Sequence, residues 1–106
     1  MDGYRIERDG GKASVFMEAD LKSALVPSMH KALKQSLKEG VSEMVFDFSK
    51  ANVVDSSGIG LLVAASNSLE LRGGRMAVVN APESIAGLLK SMRLHERLGV
   101  RARSQA

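Results

Sequence analysis

A chain of 106 residues in which 44% of the side chains are apolar and 25% charged has the balance of one globular domain built around one core. It carries a formal charge of +3, no cysteine and two isolated histidines, His30 and His95, which excludes disulfides and thiol chemistry and leaves little for a metal centre. No apolar run approaches the roughly 20 residues of a membrane helix, and the start Met1-Asp2-Gly3-Tyr4-Arg5 lacks the basic-then-apolar pattern of a secretory signal. The expectation is a cytoplasmic domain with no metal, no cofactor and no membrane insertion.

Tyr4 to Arg8 and Lys12 to Met17 alternate apolar and polar residues around Asp9-Gly10-Gly11, the pattern of a β-hairpin. From Ser23 to Glu39, Leu25, Met29, Leu33 and Leu37 recur every four residues, which predicts an amphipathic helix with Pro27 in its first turn and Gly40 at its end. Met44-Val45-Phe46-Asp47-Phe48 reads as a central strand covered by helices. After a short connection and a Ser-Ser-Gly turn, Ile59 to Arg72 reads as a helix buried at its apolar start and stopped at Gly73. Arg75 to Val79 is a fourth strand, and Pro82-Glu83 opens a third helix with the stripe Ile85, Leu88, Leu89 and Met92.

The order β-β-α-β-α-β-α predicts a single α/β domain over residues 1–106. Its mixed sheet of four to five strands combines an N-terminal hairpin with right-handed β-α-β crossovers packed by amphipathic helices. The late basic residues Lys90, Arg93, Arg97, Arg101 and Arg103 have no interleaved aromatics, so no direct nucleic-acid contact is expected. Residues 98–106 read as a solvated basic tail that frays.

The segment with the most chemistry is Asp55-Ser56-Ser57-Gly58-Ile59-Gly60, where a strand hands over to a buried helix. Crevices beyond the carboxyl ends of strands are the usable sites of open α/β sheets. A helix N-terminus there offers free N–H groups to an anion or a phosphorylated hydroxyl. Phosphate on Ser56 would add about −1.5 to −2 charges beside Asp55 and oppose a docked partner. Taken alone, however, an acid and two serines before an apolar run are ordinary capping residues. Gly58 and Gly60 each cost roughly 1 kcal/mol relative to alanine inside a helix, so each needs a reason. Close approach of a partner and tight internal packing both supply one, and the sequence leaves both open.

Catalytic alternatives fit less well. Val63 stands where a dinucleotide fingerprint needs its third glycine, and there is no Gly-Lys-Ser/Thr. Ser56 and Ser57 lack the leading glycine of a nucleophile elbow. His30 shares a helix flank with Lys34, the setting of a solvated histidine rather than a triad base. No catalytic residue is assigned.

Asp55-Ser56-Ser57-Gly58-Ile59-Gly60-Leu61-Leu62, preceded by Val45-Phe46-Asp47-Phe48 and followed by Gly73-Gly74-Arg75-Met76-Ala77-Val78-Val79-Asn80, resembles the bacterial anti-sigma factor antagonists, which are small STAS domains. The resemblance covers most of the chain. It implies a non-enzymatic regulator whose unphosphorylated form binds an anti-sigma factor that is also an ATP-dependent serine kinase, thereby releasing the sigma factor. It makes Ser56 the phosphoacceptor, with Ser57 second to it, and gives a serine phosphatase the reverse step. It places Asp20, Lys22, Asp55, Ser56, Ser57, Gly58, Ile59 and Gly60 on the partner surface.

Two departures from the family pattern stand out. Ala19-Asp20-Leu21-Lys22 has a base where the family often carries an acid. After Leu98-Gly99-Val100 the final packing helix is shortened or missing. Lys22 and the basic tail motivate an alternative, a non-switching STAS subunit of a bacterial lipid-transport ABC complex or another signalling scaffold. A small serine hydrolase is a third reading, to be tested by covalent labelling of Ser56.

Overall fold

The computed structural model describes residues 3–103. The strands are β1 (Tyr4–Asp9), β2 (Lys12–Met17), β3 (Glu43–Asp47), β4 (Arg75–Ala81) and β5 (Val100–Ala102), and the helices are α1 (Val26–Lys38), α2 (Ser56–Leu71) and α3 (Glu83–Ser91). The sheet order is β1-β2-β3-β4-β5. β1 and β2 are antiparallel, and every later pair is parallel. Asp9 pairs with Lys12 across a two-residue turn whose Gly10 has φ 61°, as the hairpin pattern requires.

Because strand order follows chain order, each right-handed crossover moves the same way across the sheet and leaves its helix on the same side. The register agrees. Ala13, Val15 and Met17 of β2 share a face with Met44 and Phe46 of β3 and with Met76 and Val78 of β4, and all are buried. Ser14, Phe16, Val45, Asp47, Ala77 and Val79 form the opposite face and are only half-buried. The strand expected to be enclosed by helices is therefore central in order but covered on one side.

The core joins that sheet face to Met29, Leu33 and Leu37 of α1, to Leu62, Ala65 and Leu69 of α2, and to Ile85 and Leu89 of α3. α1 begins three residues later than the sequence pattern suggests. Leu25 occupies the N-cap position with no side-chain cap, and its N–H closes a turn onto the Lys22 carbonyl at 2.9 Å. In α3 the expected apolar stripe is half realised, since Leu88 and Met92 are 39% and 47% exposed. A nine-residue helix touching the edge of the sheet buries one narrow row.

The largest difference from expectation lies at the end of the chain. Leu98 and Val100 are buried, and β5 extends the sheet beside β4 where a frayed tail is expected. Arg103 donates its backbone N–H to Ala81 O at 2.7 Å, and its guanidinium to Phe48 O at 2.7 Å, Ala51 O at 3.1 Å and Asn80 O at 3.3 Å. These bonds explain why residues 98–103 stay on the body of the domain. The expected fraying of 104–106 lies outside the described residues, and among those described no helix follows β5.

Candidate functional site

Two loops meet at the carboxyl end of the sheet, one leading from β2 to α1 and the other from β3 to α2. Leu21 and Val54 form an isolated parallel bridge, with Leu21 N–H donating to Val53 O at 3.0 Å and Asp55 N–H donating to Leu21 O at 3.1 Å. This brings Asp20, Lys22 and Asp55 together across more than thirty positions of sequence.

The acids fix that junction. Asp20 Oδ1 accepts from the N–H groups of Asn52 at 2.8 Å and Val53 at 3.1 Å. Asp55 is the N-cap of α2, with extended backbone geometry. Its Oδ1 accepts from Gly58 N–H at 2.9 Å and its Oδ2 from Ser23 N–H at 2.8 Å, so one carboxylate caps the helix and ties in the neighbouring loop. The Gly58 and Ser23 amides hold the Asp55 carboxyl below its ordinary pKa, with the charge of Lys22 adding to them. The Asn52 and Val53 amides do the same for Asp20, again helped by Lys22.

Around this frame the residues divide by exposure. Ser56 and Ser57 are the first two residues of α2 and both are exposed, as are Gly60 and Lys22. Gly58 and Ile59, placed on the partner surface by the family resemblance, are buried in the domain. The two glycines have different reasons for being glycine. A Cβ on Gly58 would lie 2.7 Å from Leu21 O, 2.8 Å from Leu21 Cγ and 2.9 Å from Val54 Cγ1, so that position serves internal packing. A Cβ on Gly60 would meet nothing within 4 Å, so the bare helix backbone there faces open space.

A second layer supports the connection that leads into Ser56, and sequence reasoning missed it. Asn80 takes a positive φ of 56° and donates Nδ2 to Asp47 Oδ2 at 3.1 Å, while Asp47 Oδ1 accepts from Ser49 N–H at 2.9 Å. Burial pushes the Asp47 carboxyl up, but the bonds from Ser49 and Asn80 and the charge of Arg103 outweigh it and hold the pKa low. Arg103 then binds the carbonyls of Phe48 and Ala51 on the same connection. The available signal was Leu98-Gly99-Val100 before the tail, which is too short to show strand periodicity. The described residues hold no cluster of three or more His, Cys, Asp or Glu suited to a metal. Among the described residues no helix is long and apolar enough to cross a membrane.

A model of the STAS domain matches residues 5–106. The chain belongs to the STAS domain family. The fold of this STAS domain is shared with solved structures at low sequence identity. The Bacillus cell fate determinant SpoIIAA in its phosphorylated form is 16% identical, with 96% of this chain and 92% of that one covered at a TM-score of 0.80. SpoIIAA is also known unphosphorylated, where it is described as an anti-sigma factor antagonist. An anti-sigma factor antagonist from Mycobacterium paratuberculosis is 17% identical over 96% of this chain and 86% of that one, with a TM-score of 0.79. The murine anion transporter Slc26a9 matches 92% of the STAS domain described here with 17% of its own length, at 18% identity and a TM-score of 0.71. None of the curated proteins is significantly similar in sequence.

Proposed function

We propose that this STAS domain is an anti-sigma factor antagonist switched by phosphorylation of Ser56. The observation that carries the reading is the placement of Ser56, exposed at the first position of α2, beside a carboxylate that two backbone amides lock in place. Phosphate on that hydroxyl adds about −1.5 to −2 charges next to Asp55 without needing any buried group to move. The helix N-terminus tolerates the added charge, whereas a partner docked over Ser56 and Gly60 meets like-charge repulsion and desolvation. The same domain therefore folds in both states and binds in one.

In this reading the protein acts as substrate and binding module and supplies no catalytic residue. Its partners are an anti-sigma factor with serine kinase activity and a serine phosphatase, all in the cytoplasm. Ser56, Ser57, Gly60 and Lys22 form the contact surface; Asp20 and Asp55 hold its shape. Ser57, equally exposed, is the secondary acceptor. SpoIIAA, which shares the fold, has been solved in both phosphorylated and unphosphorylated forms, and that pairing supports the reading by analogy.

The test is intact-mass analysis with peptide mapping of the protein from its native host, followed by incubation with the kinase-type anti-sigma factor and ATP. Phosphate on Ser56, its loss in Ser56→Ala, and weakened partner binding by Ser56→Glu are the expected results. Phosphorylation and partner release that are unchanged in Ser56→Ala would sink the assignment. Lys22, an exposed base beside the two loop acids, favours a second reading as a non-switching STAS subunit of a lipid-transport complex. Binding to a transporter ATPase, with no phosphate under varied growth conditions, would select it.

A further inference from the structure

We infer that the groove between α1 and α2 is a docking site for an acidic amphipathic helix of a partner protein. This goes beyond the Ser56 switch and does not depend on it. Leu33, Leu37, Leu61 and Ala65 form the groove's buried floor, and it encloses about 150 Å³ between His30 and Ser68. It continues past Lys34 and Lys38 to Leu71 and Arg72. From Leu61 to Leu71 the helix rises about 15 Å, the length of three helical turns. Ala64 and Ser68 along one wall are small enough to let another backbone approach closely.

Charge selects the occupant. The rim carries His30, Lys34, Lys38 and Arg72, and no lining residue is acidic. Between Val26 and Lys38, α1 contains three lysines and a histidine and no acid. Among the described residues the salt bridges are Arg5–Glu7, Arg8–Glu39 and Arg97–Glu70, so Lys34 and Lys38 keep their charge for a partner. Arg72 donates Nη1 to Leu37 O at 2.9 Å, which fixes the spacing of the two helices at the far end. Beside it Leu71 is 89% exposed and extends the apolar strip outward, a placement that core packing does not explain.

The shape argues against two other occupants. A bilayer is flat and would touch the lysines and Leu71, but it could not reach a floor recessed between two helices. A second copy would have to offer an acidic amphipathic helix; α1 is basic, α2 is apolar at its start, and α3 carries one acid and one base. An acidic helix with leucines at i, i+3, i+4 and i+7 places its apolar side chains on the floor and its carboxylates against the rim.

The test uses the full chain, isotope-labelled for NMR, and a synthetic peptide of about 18 residues with that leucine spacing and glutamate and alanine elsewhere. Saturable shifts are expected at His30, Lys34, Ala64 and Ser68. Affinity should fall about tenfold or more in the double variant Lys34→Glu/Lys38→Glu, for a scrambled peptide of the same composition, and on raising the salt to about 0.5 M. Both lysines are exposed, so the variant should keep the wild-type melting curve, which the same sample checks. Absence of saturation at about 1 mM peptide, or equal affinity for the scrambled peptide or the double variant, overturns the proposal. So does binding of phosphatidylglycerol vesicles in place of the peptide, or self-association through these same residues. Ser56 plays no part in the readout, so failure here and failure of the switch are separate results.

Discussion

Gly58→Ala and Gly60→Ala change the same helix by the same methyl group and should move stability in opposite directions. Both residues lie within α2, neither has a positive φ, and alanine in a helix interior is favoured over glycine by about 0.8–1 kcal/mol. At Gly60 the new methyl meets nothing within 4 Å, so the full gain of about 1 kcal/mol is expected. At Gly58 it lies 2.7 Å from Leu21 O, a backbone atom that accepts the Asp55 N–H and cannot rotate aside. Overpacking of this kind costs about 1–3 kcal/mol, and disturbing the Asp55–Leu21 hydrogen bond costs about 1 more. After subtracting the helix gain, Gly58→Ala should lose about 1–3 kcal/mol. Urea unfolding monitored by circular dichroism measures both variants, and thermal melts should separate them by about 10–20 °C. If both variants gain or both lose by similar amounts, the division of the two glycines between core and surface is refuted.

Three further outcomes follow from the same geometry. Gly60→Gln should leave the urea midpoint close to that of Gly60→Ala yet weaken anti-sigma factor binding in a titration calorimeter, because its side chain stands on the proposed docking surface; unchanged affinity would remove Gly60 from that surface. Arg103→Ala gives up three side-chain bonds to carbonyls and should cost about 2 kcal/mol, with faster hydrogen exchange across residues 49–55; a midpoint within about 0.5 kcal/mol of wild type would show the latch to be idle. Asp20, Asp47 and Asp55 each titrate below their ordinary value when folded, so the unfolded chain binds protons more readily and stability rises with pH. Their contribution is complete above the unfolded value near 3.9 and drains away as pH falls through the lower folded values. Urea midpoints from pH 6 downward should show this loss, and Asp55→Asn should flatten it; an unaltered slope would contradict the placement of that carboxylate.

The fold is legible in the sequence where local pattern and tertiary structure agree. The hairpin at Asp9 to Lys12 and the helix stops at Gly40 and Gly73, with φ of 98° and 69°, follow from residues that accept an unusual backbone angle. Periodicity gave the α1 stripe, and Asp-Ser-Ser before an apolar run marked the start of α2. The failures have physical causes. β5 is three residues long, too short for a period-two signal, and Arg103 is held by backbone carbonyls that any sequence would offer. Leu88 and Met92 fit an apolar stripe but lie beyond the reach of the sheet edge. Gly58 and Gly60 look alike in sequence because the difference between them is the position of Leu21, nearly forty residues away. Asp20 and Asp55 were legible as important, but the backbone amides they bind could not be read from residue type.

The Arg103 latch also has a consequence for the order of synthesis. The connection that carries Phe48 and Ala51 leaves the ribosome more than fifty residues before the guanidinium that closes it, a delay of about 3–10 s at ordinary elongation rates. During that interval the two carbonyls lack the guanidinium, and the loop is held by its bonds to Asp20, Asp47 and Leu21. A nascent or prematurely ended chain thus presents Ser56 on a looser support than the finished domain.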